Sequence, residues 1–212
     1  MAKKAGANLR KNTPHAVPVR EKLKIQPGKP AEVLQSKVAY EGSLFRVLSE
    51  DIREPNGTEA QRDVIRHNGS VVVLALEKGK RKRDPLVLIE RQFRHAAQQF
   101  LYELPAGKLE PGEDHLEAAK RELIEETGYR AKKWTKLTRY FASPGFLGEW
   151  MQVFVAEDLT PGEAQPEDDE SFELQFVPLS ELLRLIEAGK ILDGKTMTSA
   201  LLYARLAGGR RK

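Results

Sequence analysis

GKLEPGEDHLEAAKRELIEETGY, residues 107–129, is the stretch on which both fold and chemistry turn. A loop through Glu110-Pro111-Gly112 leads into a helix expected from about 114 to 127, stopped by Gly128, a residue suited to ending a helix. At about 100° per residue, Leu116, Ala119, Leu123 and Thr127 share one arc, with Ile124 at its edge, and that arc should face a core. Glu122, Glu125 and Glu126 gather on another face, because i, i+3 and i+4 are helix neighbours. Three carboxylates so close repel one another, and the C-terminal end of a helix is the unfavourable end for negative charge. Such a face is either solvated surface or a place that expects a cation. Hard divalent ions take oxygen donors of this kind.

Outward from this helix the chain alternates short strands with turns. Downstream, 137–141, 152–157 and 172–177 read as strands, 162–170 as an acidic loop, and 179–188 and 196–206 as amphipathic helices. Upstream, 101–104 is a short strand broken by Pro105-Ala106-Gly107, and 70–76 and 86–91 are apolar, β-branched runs suited to buried strands. The basic run 78–83 between them reads as a charged hairpin tip. Earlier still, 38–40, 44–48, 49–53 and 64–66, punctuated by Pro55-Asn56-Gly57, predict a small antiparallel sheet. Strands and helices mix without regular βαβ alternation, which indicates an α+β fold. The expected organisation is a basic flexible tail over 1–32, an N-terminal β-sheet subdomain over 33–66, a main domain over 67–207 and a flexible tail over 208–212.

Composition narrows the chemistry. Hydrophobic residues make up 40% of the 212, enough for a core, and there is no cysteine, which excludes disulfides, thiolate nucleophiles and Cys-bound zinc. His15, His67, His95 and His115 show no metal-binding spacing, so a metal would be held by carboxylates, pointing to Mg²⁺ or Mn²⁺. Residues 1–30 carry eight Lys or Arg against Glu21 alone, a local +7 that leaves the remainder at −3 of the chain's net +4. The basic tail is thus read as a solvated segment rather than a nucleic-acid arm. No apolar run reaches bilayer length and the start has no signal-peptide core, so a cytoplasmic protein without membrane partners is expected.

Gly107, Glu113, Arg121, Glu122, Glu125, Glu126 and Gly128 match every fixed position of G-x5-E-x7-R-E-U-x-E-E-x-G-U, where U is a bulky apolar residue; Leu123 fills the first U and Tyr129, less usually, the second. Seven identities at about 6 percent each leave roughly one chance in 10⁸ to 10⁹ per start position. The stretch resembles the Nudix box, and a looser resemblance to Nudix hydrolases runs from about 38 to 206. It implies an α/β/α sandwich with a mixed sheet and hydrolysis of a pyrophosphate bond in a nucleoside diphosphate linked to another group. It also implies Glu122, Glu126 and the Ala106 carbonyl as metal ligands, Glu125 close by, and Glu113 as a support that pairs with Arg121. Gly107 would let the backbone turn beside the ligand.

Pro144, sixteen residues after Gly128, together with Arg91-Gln92-Phe93-Arg94 and Tyr102-Glu103-Leu104-Pro105-Ala106-Gly107, is similar to the ADP-ribose pyrophosphatase branch. That resemblance implies ADP-ribose cleaved by water to AMP and ribose 5-phosphate, with Arg94 clamping the diphosphate and Glu103 joining the metal site. It implies a general base or added metal ligand in the acidic loop, Glu170 first and Asp168 second. It further implies a homodimer in which the N-terminal sheet is exchanged and an aromatic, Tyr40 or Phe45, stacks on the base. Alternatives at this stage are another nucleotide sugar, GDP-mannose or ADP-glucose, and a Nudix-like binding module without catalysis.

Overall fold

The computed structural model describes Leu23 and residues 25–42, 45–77, 84–165 and 172–209. Strands β1 (Glu32–Glu41), β2 (Arg46–Arg53) and β3 (Glu59–Ile65) form a three-stranded antiparallel sheet in that order. β1 is exposed along its whole length, its apolar Val33, Leu34, Val38 and Tyr40 included, among the described residues. The end of β3 is tied to a distant loop: Ile65 N–H donates to the Phe146 carbonyl at 2.8 Å, and Gly148 N–H donates to the Ile65 carbonyl at 2.9 Å.

The rest is built around β4 (Ser70–Glu77), SVVVLALE, buried at every position but the last, as a strand covered on both faces must be. The other strands of this second sheet are β5 (Leu86–Arg94), β6 (Gln99–Glu103), β7 (Ala106–Lys108), β8 (Arg130–Phe141), β9 (Trp150–Thr160) and β10 (Glu173–Pro178). The main path runs β10-β5-β4-β9-β8, with β4 and β9 parallel and the other pairs antiparallel. Helix α1 (His115–Thr127) covers one face, packing Ala118, Ala119 and Leu123 on Val71, Val73 and Phe154. Helices α2 (Leu179–Glu187) and α3 (Gly194–Gly209) cover the other, over Val72, Leu74 and Leu76. The result is a mixed α/β sandwich with the small antiparallel sheet beside it. Among the described residues no helix is long and apolar enough to cross a membrane.

One irregularity of the second sheet positions the site. β5 pairs with β4 only at Leu76↔Val87 and Glu77↔Leu86, then leaves it. The wedge between them is filled by 99–108: β6 pairs with β5, β7 pairs with β4, and Leu104-Pro105 joins them, with Val73 N–H donating to the Pro105 carbonyl at 2.8 Å.

Several elements differ from the sequence expectation in extent. β8 begins at Arg130 rather than 137, because residues 130–136 are mostly polar and form an edge strand paired only with β9. β7 occupies the stretch expected to be a break, since backbone pairing with β4 needs no apolar side chain. β1 and β3 are longer than their apolar runs, for they carry polar residues on exposed faces. On α1 the buried stripe includes Ala118 as well as Ala119, Leu123 and Thr127, while Leu116 and Ile124 are half-buried.

Candidate active site

α1 starts where Asp114 caps it, the carboxylate accepting from the N–H groups of Leu116 at 2.9 Å and Glu117 at 3.2 Å. It stops where Gly128 turns left-handed at φ 74° and donates its N–H to the Ile124 carbonyl. Between these ends the acidic face is turned toward β7. Ala106 N–H donates to Glu126 Oε2 at 2.9 Å. A Cβ at residue 107 would overlap the Glu122 carboxylate, so glycine here lets that carboxylate lie against the β7 backbone.

Arg121 organises the carboxylates around it. Its Nε and Nη2 donate to the two oxygens of Glu113 at 3.0 and 3.1 Å, Nη1 donates to Glu122 and Glu125 at 2.8 Å each, and Nη2 also reaches the Lys108 carbonyl at 3.1 Å. Glu113 in turn accepts from Glu110 N–H at 3.0 Å. The Arg121 hydrogen bonds hold the Glu113 carboxyl below its usual range, and Glu113 foremost among its partners pushes Arg121 further up. Loop, helix and β7 are thereby locked by one guanidinium.

A second charged group stands on β5 and β6. Arg94 Nε and Nη2 donate to Glu103 Oε1 and Oε2 at 2.9 and 2.8 Å, a two-bond fork. Glu103 is 1% exposed and also accepts from Lys195 at the start of α3. Burial alone would raise Glu103, but Arg94 and Lys195 outweigh it and hold the carboxyl below its ordinary value.

Arg121 and Arg94, one from each group, line a cleft of about 450 Å³. Glu122, Glu125 and Glu126 form one wall with β7, and Arg94, Lys195 and Glu149 contribute to the rest. Glu149 accepts from Ser70 Oγ at 2.5 Å and lies 3.9 Å from His67 Nε2. Arg94, Arg121 and Lys195 are already matched to carboxylates, and Glu110, Glu122, Glu125, Glu126 and Glu149 line the cleft, so a diphosphate would meet surplus negative charge unless a cation came with it.

The donors fit a hard divalent ion. Glu122 and Glu126 are buried, one turn apart, and close to the β7 backbone, which gives two anionic oxygens beside main-chain polar groups. Among the described residues no three His, Cys, Asp or Glu side chains converge on one point as a ready-made metal cage. A set of two carboxylates and one carbonyl does not require one, and Arg121 stands between Glu122 and Glu125.

The other sequence-derived candidates are placed as follows. Glu103 does not line the cleft beside Glu122 and Glu126, because its buried carboxylate is taken up by Arg94 and Lys195, and it reaches the cleft only through Arg94. Pro144 is exposed in the turn of the loop closed by Leu147 N–H to the Ser143 carbonyl, and leads toward Glu149. Phe45 and Tyr40 are exposed with rings 6.1 Å apart, outside the cleft. Glu170 and Asp168, with most of the acidic loop, the basic run 78–83 and residues 1–22 and 24 of the basic tail, lie outside the described residues. Sequence reading missed Glu149, Ser70 and Lys195. Lys195 did leave a signal: a lysine in the first turn of a helix sits at the unfavourable end of the helix dipole and needs a reason to be there.

Residues 66–198 match the model of the NUDIX domain. The chain is 40% identical to an ADP-ribose pyrophosphatase of Bacillus subtilis strain 168, over 79% of this chain and 88% of that protein. It is 34% identical to a GDP-mannose pyrophosphatase of Citrobacter koseri, over 76% of this chain and 91% of the relative. A crystal structure of an ADP compounds hydrolase superposes with a TM-score of 0.75 at 22% identity, covering 88% of this chain and 99% of the other.

Proposed function

The chain belongs to the NUDIX domain family, and on that premise we propose that it hydrolyses ADP-ribose to AMP and ribose 5-phosphate in the cleft between α1 and Arg94. It is a pyrophosphohydrolase of a family that generally depends on divalent metal; Mg²⁺ is the ion proposed, with Mn²⁺ as a substitute. The observation that carries the reading is the meeting of two buried carboxylates, the β7 backbone and a fork-held arginine in one cleft. The similarity to the Bacillus subtilis enzyme over most of both chains supports the substrate.

Glu122, Glu126 and the Ala106 carbonyl would hold the metal. A strand residue points its N–H and C=O to the same side, and the Ala106 N–H points at Glu126. When bound, the ion supplies neutralisation of the diphosphate and activation of water. Glu113 and Arg121 fix the ligand helix to its loop, and Glu125 keeps Arg121 from pairing with Glu122 alone. Gly107 admits the Glu122 carboxylate. Arg94 grips the diphosphate, and Glu103 sets its orientation. Glu170, with Asp168 second, is assigned the proton-accepting role, and Pro144 shapes the loop that brings Glu149 to the cleft.

The proposal includes a homodimer in which β1–β3 cross to the partner and bring Phe45 or Tyr40 toward the base. Its support is apolar surface: Val33, Val38 and Tyr40 on β1 and the Phe93–Phe100 pair, rings 5.3 Å apart, are all exposed. Surfaces of this kind mark interfaces. A cytoplasmic location is part of the same proposal.

The test is product identification from ADP-ribose with GDP-mannose alongside. AMP and ribose 5-phosphate, formed faster than any product from GDP-mannose, is the expected result. Preferential turnover of GDP-mannose would replace the substrate while leaving the pyrophosphohydrolase standing.

A further inference from the structure

Glu103 faces Glu90 across the β5–β6 ladder, and both carboxylates are essentially buried, at 1% and 0% exposure. Like charges directly opposite in a sheet are destabilising. They are tolerated here because cations approach from two sides: Arg94, on the same strand as Glu90, and Lys195, from α3. Lys195 is itself only 7% exposed and pairs with Glu103 and, at 3.3 Å, with Asp193. A buried ammonium is expensive, and stability alone is often served as well by an apolar side chain of the same shape.

Its neighbours explain what it is fixed to. Asp193 Oδ2 accepts from Thr196 N–H at 2.9 Å and from Thr196 Oγ1 at 2.6 Å. Thr196 Oγ1 accepts from Leu104 N–H at 2.8 Å, and Pro105, the next residue, is bonded to β4. The four residues Asp193-Gly194-Lys195-Thr196 therefore clasp the end of β6 and the bridge leading to Ala106.

We propose that Lys195 is a positioning residue for substrate binding: its ammonium fixes the Glu103 carboxylate, whose fork then holds the Arg94 guanidinium toward the cleft. The fork uses Nε and Nη2 of Arg94 and turns the Nη1 edge away from Glu103. Arg94, at 41% side-chain exposure, is the group that meets ligand, whereas Lys195 borders the cleft with its ammonium taken up by Glu103 and Asp193. With Lys195 gone, Glu103 keeps one cation against the repulsion of Glu90, and the fork loses its fixed plane. The kinetic consequence rests on the proposed ADP-ribose hydrolysis; the geometric one does not.

The experiment compares Lys195→Met and Lys195→Arg in the full chain, with and without Arg94→Ala. Lys195→Met is expected to raise KM for ADP-ribose on the order of 10-fold with kcat changed much less, the signature of lost ground-state binding. Lys195→Arg is expected to restore most of it. In the Arg94→Ala background Lys195→Met should add less than about 2-fold, because the two act through one contact. A readout free of substrate is the ¹⁵N-resolved Nε–H signal of Arg94, identified by its loss in Arg94→Lys. It should be sharp in the parent protein and broadened or shifted in Lys195→Met. If Lys195→Met does not fold, Lys195→Gln carries the same comparison. Full additivity with Arg94→Ala, or an Arg94 signal unchanged in Lys195→Met, overturns the proposal. If the parent protein does not turn over ADP-ribose, it is the substrate assignment that fails, and the Arg94 signal still decides the role of Lys195.

Discussion

Arg121 and Arg94 both line the cleft and both grip glutamates, but they are held in opposite ways. Every partner of Arg121 lies within 13 positions of it, on its own helix, the preceding loop or β7. The Arg94 group is closed by Lys195, 92 positions from Glu103. One is a local device, written into a single stretch of sequence; the other is assembled by the tertiary fold from β5, β6 and the start of α3. The local device can be inferred from spacing because an α-helix fixes which side chains meet. The assembled one cannot, since nothing in a single sequence says that the wedge between β4 and β5 brings α3 against β6.

The largest test of this contrast falls on the local side. Glu126→Gln removes a proposed ligand charge while relieving carboxylate repulsion, so kcat should fall on the order of 10³-fold, near the upper end for losing one group that stabilises transition-state charge. Thermal stability should be nearly unchanged. A mutant with the parent kcat at saturating Mg²⁺ removes Glu126 from the metal site. Gly107→Ala comes next. Its methyl must displace the Glu122 carboxylate, and a shift of about 1 Å at the chemistry costs on the order of 10²-fold in rate. Unchanged kinetics would mean that the close approach of β7 to α1 does not matter for function.

Smaller effects separate the two groups by metal and by pH. Mg²⁺ at ten times its dissociation constant should add about 1.4 kcal/mol of stability, a Tm rise of roughly 3–6 °C for a chain of this size. Glu122→Gln should abolish most of that rise. No shift in the parent protein would contradict a preformed site. For the assembled group the sign follows from Glu103. Its folded carboxyl lies below the ordinary 4.5, so its contribution is complete above about pH 4.5 and is lost as pH falls through the depressed folded value. In urea unfolding, the stability gap between the parent and Glu103→Gln should therefore narrow from pH 7 toward pH 3. A gap that stays constant would show that the carboxylate charge is not what the group uses.

The same contrast explains how much was legible beforehand. The extent of α1, its terminal Gly128 and the gathering of Glu122, Glu125 and Glu126 follow from helical periodicity and a glycine stop. The buried strand β4 announced itself by an unbroken apolar run. β7 did not, because three residues held by backbone pairing leave no side-chain pattern. The polar first half of β8 hid for a related reason: an edge strand facing water needs no apolar alternation. Glu149 and Ser70 meet across 79 positions, so neither could be assigned to the cleft from its neighbours in sequence.

The measurement that bears most directly on the central claim is hydrolysis of ADP-ribose by the parent protein, with products identified, in the presence of chelator and then with Mg²⁺ restored. No turnover in chelator, and release of AMP and ribose 5-phosphate once Mg²⁺ is returned, is the expected result. Cleavage that proceeds at the same rate in chelator would contradict a metal-dependent site built on Glu122 and Glu126.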